Sequence, residues 1–152
     1  SIYNNNTPFS IFGVGDYSFK PYKVAISGLY KTFHFTLVLP QNGKPVMLDD
    51  TCYMLGFDRL EFAVYSLILL NFETTMQFLQ SITFTDAKQT FTKEVLMRID
   101  LLELAQTIDK SELQNQLNYI NSTYNFNLNL DLWCDFINEM KPIESGQMEL
   151  FA

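Results

Sequence analysis

With 152 residues, 47% apolar and 15% aromatic, the chain has enough hydrophobic material for one compact domain, which excludes disorder as its general character. Its 10 basic and 17 acidic residues give a net charge of −7, a total that by itself speaks against a nucleic-acid binder. No apolar run is long enough to cross a bilayer; residues 62–72 come nearest, and Ser66 and Asn71 interrupt them.

The first residue is Ser and no signal peptide is visible, so the sequence reads as a piece of a longer cytoplasmic protein with no membrane contact. Residues 1–10, with three consecutive asparagines and Pro8, read as a connector. Residues 12–31 (FGVGDYSFKPYKVAISGLYK) are the densest stretch of the chain, with a Gly-x-Gly turn, aromatic rings and three lysines. Within it, residues 22–26 read as a strand that ends at Ser27 and Gly28. Residues 32–39 alternate, with Phe33, Phe35, Leu37 and Leu39 on one face, as a half-buried strand does. Pro40-Gln41-Asn42-Gly43 predicts a turn, Val46-Met47-Leu48 a returning strand, and residues 51–57 a further strand.

The period then changes. Residues 59–72 predict an amphipathic helix capped by Asp58, with Leu60, Ala63, Val64, Leu67, Ile68 and Asn71 on one side. Residues 73–82 predict a second helix, followed by a polar connector over 83–91. Glu94 stands in the first turn of the next helical stretch, where an acid suits the helix dipole. Residues 99–104 (IDLLEL) fit a closing strand or a helix end, and the strand is the expectation. Residues 109–124 and 131–140 predict two amphipathic helices, cored by Leu113, Leu117 and Ile120 and by Leu132, Trp133, Phe136 and Ile137. Pro142 ends the second, and an acidic tail follows. The expected fold is therefore α+β: a small mixed or antiparallel sheet with packed helices, then a C-terminal helical pair. The expected division is 1–104, a helical appendage over 105–141, and a tail over 142–152.

Charge is unevenly distributed. Through Arg98 there are eight basic and eight acidic residues; beyond it there are two basic and nine acidic ones. Between Tyr17 and Met47 lie four lysines, His34 and no acid. A local field governs binding more than a chain total does. Lys20, Lys23 and Lys31, interleaved with Tyr17, Phe19 and Tyr22, combine phosphate-pairing charge with stacking surface, which points to a polyanion. The bland reading, with Phe19 and Tyr22 in the core and the lysines merely solvated, fits the same composition.

Other constellations carry less. Cys52 and Cys134 have no metal-ligand spacing and read as buried thiols. The sole histidine, His34, lies on the polar side of its strand, so neither a metal site nor a catalytic set is expected. Asp49-Asp50 reads as a solvated turn, and the sequon at Asn121 as chance. The last residues, Gln147 through Phe151, have the spacing Gln-x-x-Leu-Phe and resemble the short motif by which bacterial proteins dock on the DNA sliding clamp. Gln147, Leu150 and Phe151 would be the contact residues, an apolar pair filling a pocket while the amide fixes register.

Residues 12–31, 44–53 (KPVMLDDTCY), 69–71 (LLN) and 91–99 (FTKEVLMRI) together resemble the C-terminal target-recognition domain of bacterial N6-adenine DNA methyltransferases and of restriction enzymes fused to them, the TaqI-like specificity domain. The ending is also similar to type I restriction specificity subunits. The resemblance covers residues 9–104. It implies a reader of double-stranded DNA, with Tyr17, Phe19, Lys20, Tyr22, Lys23, Ser27, Lys31 and Lys93 facing the duplex. It also implies that S-adenosylmethionine and the Asn-Pro-Pro-Tyr type catalytic motif belong to a methyltransferase domain upstream, since neither that motif nor the donor-binding loop occurs here. The fragment itself is expected to hold no catalytic residue, cofactor or metal. A protein-interaction module working through the tail and the acidic helices is the alternative.

Overall fold

The computed structural model describes residues 16–27, 34–48, 52–83 and 93–141, with the side chains of 16, 17, 82, 83, 93 and 94 left aside. A 3-10 turn over Asp16–Phe19 leads through Lys20 and Pro21 into strand β1 (Tyr22–Ser27). Strands β2 (Thr36–Val38) and β3 (Cys52–Phe57) flank it on either side, giving the antiparallel order β2-β1-β3. The register sets Val24 opposite both Leu37 and Leu55. Side chains alternate across a strand. Val24, Ile26, Phe35, Leu37 and Leu55 accordingly face one hydrophobic core, while Lys23, Ala25 and Met54 are buried outside that cluster.

Against the core face lies α1 (Leu60–Leu70), buried at every position from Phe62 to Leu70. The amphipathic expectation is corrected here: the helix is apolar nearly all round because it is covered nearly all round. The sheet covers one side; α4 (Leu101–Thr107) and α5 (Lys110–Tyr124) cover others. From α6 (Trp133–Met140), Phe136 reaches Phe62 at 5.5 Å between ring centroids and Trp133 meets Tyr65 edge-on at 5.2 Å. Helices α5 and α6 thus contribute Leu113, Leu117, Ile120, Trp133 and Phe136 to the same core that Val24 and Leu55 enter.

Between α1 and α4 come α2 (Glu73–Thr83), where predicted, and the single turn α3 (Lys93–Leu96). No single described helix is long and apolar enough to cross a membrane; only α1 and α2 together have the length and composition, and they meet at a bend of 56°.

Four further expectations change. The Asn-Gly turn forms, with Asn42 at φ 51° and Gly43 at φ 75° and Gln41 and Lys44 exchanging backbone bonds, but Val46 to Leu48 do not return as a strand. Positive φ at both central residues is the two-residue hairpin geometry, yet here it closes one isolated bridge. Asp58 does not cap α1; Arg59 holds the N-cap position without a side-chain bond. Residues 101–104 are helix instead of strand, because the Asp100 carboxylate accepts the Glu103 N–H at 3.0 Å and starts α4. The same Asp-x-x-Glu spacing starts α5, where Asp109 accepts from Glu112 at 3.1 Å. Cys52 is half-buried and Cys134 exposed, so the thiols are less covered than expected.

Candidate nucleic-acid interface

The chain leaves the 3-10 turn with the large apolar side chain of Phe19 pointing outward at 58% exposure. Lys20 follows, and its ammonium donates to the Asp58 carboxylate at 2.8 Å. Both groups are well solvated, so the pair contributes about 0–1 kcal/mol to stability and is easily exchanged. Asp58 precedes Arg59, whose exposed guanidinium lies over the Phe62 ring at 5.4 Å. Lys20, Arg59 and the uncapped start of α1 are therefore brought to one end of the molecule. An uncapped helix start presents the positive end of the helix dipole.

Lys23 behaves differently. It is fully buried on the sheet face away from α1, and its ammonium donates to the Lys20 carbonyl at 2.7 Å. Desolvation pushes its pKa below the ordinary 10.5. In this conformation the ammonium is enclosed and serves the backbone it holds. Tyr22 packs half-buried against the core and Ser27 is half-buried at the end of β1. Tyr17 lies in the 3-10 turn and Lys93 opens α3, but their side chains are outside the described set, as are Lys31, Gln147, Leu150 and Phe151. Of the residues singled out from sequence, Phe19 and Lys20 are thus exposed together, whereas Lys23 is not on that surface.

Two residues at this end were not foreseen. Arg59 reads in sequence as part of an amphipathic helix, although a cation following an acid at a helix start is the available signal. Asp58, a cap by its place in sequence, is the counter-ion of Lys20 in the structure. Among the described residues no group of three His, Cys, Asp or Glu is arranged to hold a metal ion.

Comparison with known proteins adds the missing context. Over 107 residues, 70% of its length, the chain is 44% identical to the type II methyltransferase M.NspV of Nostoc sp.. The chain is related to a type II methyltransferase. It spans 22% of the length of that relative. No protein-family model and no solved structure matches it.

Proposed function

We propose that the chain is the DNA target-recognition part of a type II restriction–modification methyltransferase. The observation that carries this reading is the 44% identity to M.NspV over 70% of the chain. The TaqI-like resemblance of residues 9–104 favours the recognition domain over the catalytic one, since Asn-Pro-Pro-Tyr is absent. In the whole enzyme an upstream domain would bind S-adenosylmethionine and receive the extruded adenine, and this part would grip the duplex.

The geometry suits that task at one end. Lys20 and Arg59 supply exposed cations, the start of α1 supplies oriented N–H groups, and Phe19 supplies an apolar surface. Lys23 holds the Lys20 carbonyl from behind, fixing the segment that carries Lys20 and Phe19. Tyr17, Tyr22, Ser27, Lys31 and Lys93 remain members of the proposed surface through the resemblance alone, and Gln147, Leu150 and Phe151 of a clamp-docking tail.

A segment exchange tests the proposal. Replacing the 107 aligned residues in the full-length protein with those of M.NspV should transfer the DNA sequence that is methylated. A chimera that keeps the original specificity and full activity contradicts it.

A further inference from the structure

The far end of α1 carries a second feature. An 11-residue helix is roughly 16 Å long at about 1.5 Å per residue, so its C-terminus is well separated from Lys20 and Arg59. There a cleft of about 830 Å³ opens between β2, the C-terminus of α1, α2 and α5. Its walls include Phe72, Met76, Tyr119 and Tyr124, with the carboxylates of Glu73 and Glu112, and no Lys or Arg among the described lining residues. Tyr119 is 68% exposed, and Tyr124 stacks on Phe126 at 5.2 Å, which holds the ring in place.

One side of the cleft is the outer edge of β2. Asn71 shows what that edge accepts: its side chain takes the Phe35 N–H at 2.8 Å and donates to the Phe35 carbonyl at 2.9 Å, as a neighbouring strand would. In an extended strand the N–H and C=O of one residue point the same way and alternate from residue to residue. Phe35 bonds outward, so the backbone groups of Leu37, two residues on, also face out of the sheet. Leu37 lines the cleft, and among the described residues no further strand pairs with β2.

We propose that this cleft binds an extended peptide segment carrying Lys or Arg, which adds to β2 as a fourth strand beside Leu37. Main-chain bonds to the Leu37 N–H and C=O supply register, as in other strand additions. The aliphatic stem of the basic side chain lies along Tyr119 and Tyr124 while its charge meets Glu73 and Glu112. Those carboxylates accept from Gln77 at 3.3 Å and Gln116 at 2.9 Å, neutral donors that leave their charge in place. The acidic walls disfavour a nucleic-acid strand. The inference is independent of the DNA reading, which concerns the opposite end of α1.

The test titrates the full-length protein with a fluorescein-labelled Lys-Val-Lys-Val-Lys peptide, read by anisotropy, with Glu-Val-Glu-Val-Glu as control. Binding of the basic peptide should fall about tenfold or more in a Glu73→Gln/Glu112→Gln variant, equivalent to about 1.4 kcal/mol or more. N-methylation of alternate peptide amides should abolish binding in one register and spare it in the other. Exchange of the Leu37 amide should slow when peptide is present. Equal binding of the acidic peptide, insensitivity to N-methylation in both registers, or no binding at millimolar peptide overturns the proposal.

Discussion

The Asn71 carboxamide closes the β2 edge at Phe35, with both halves of the amide bonded to one residue's backbone across 36 positions of sequence. It does so as the C-cap of α1, so the same residue ends the central helix and ties it to the sheet. Asn71→Ala should lower stability by about 2 kcal/mol, because it leaves a part-buried N–H and C=O without their partner. Asn71→Asp keeps the acceptor but loses the donor and sets a carboxylate against the Phe35 carbonyl, so it should do no better. Urea denaturation checks both; a loss under about 0.5 kcal/mol for Asn71→Ala would mean that water replaces the amide.

Ser66 sits in the middle of α1 with its hydroxyl buried and, among the described residues, without a hydrogen-bond partner. Removing an unsatisfied buried hydroxyl gains its desolvation cost, and Ala is the better helix former. Ser66→Ala should therefore be neutral to stabilising, by up to about 1 kcal/mol. Thermal unfolding decides the sign.

Lys23 predicts a pH dependence. Its pKa is lowered by burial in the folded state, so as pH rises the folded chain loses this proton before the unfolded chain does. The unfolded state then binds more protons, and stability rises with pH between the lowered value and the ordinary 10.5. Below that window the buried ammonium costs stability. Lys23→Met keeps the volume and removes the charge, so the difference between variant and parent should shrink as pH approaches 10.5. Parallel stability–pH curves for the two proteins would place the titration elsewhere.

Asp58 restrains the proposed DNA surface. Its carboxylate neutralises Lys20 beside Arg59. Asp58→Asn should leave stability within about 1 kcal/mol, as exposed pairs do, while strengthening duplex binding by the full-length protein at low salt. Weaker binding would assign the carboxylate a positioning role instead.

Much of the fold was legible from residue patterns, and the exceptions share a cause. Strands β1 and β3 and helices α2, α5 and α6 lie where turn residues and apolar spacing put them. Residues 99–104 carry leucines that fit either period, and what decides for helix is one side-chain bond from Asp100. Val46, Met47 and Leu48 have strand composition, but the turn at Asn42 and Gly43 closes only the Gln41–Lys44 bridge, and no ladder to β2 continues from it among the described residues. The site was legible as a region and not residue by residue. Lys20 and Lys23 look alike in sequence, yet the two-residue alternation of β1 buries Lys23 on the sheet face away from α1 and the loop leaves Lys20 outside. Asp58 and Asn71 act through partners distant in sequence, Lys20 and Phe35, which no local spacing reveals.

The central claim is that Lys20 and Arg59, at the start of α1, grip the DNA backbone. The most direct measurement is the salt dependence of duplex binding by the full-length protein and its Lys20→Ala/Arg59→Ala variant. Each phosphate contact contributes about 0.9 to the slope of log K against log salt, so the variant should lose roughly 1.8 of it, whereas Lys23→Met should lose almost none. A slope unchanged in the double variant contradicts the account.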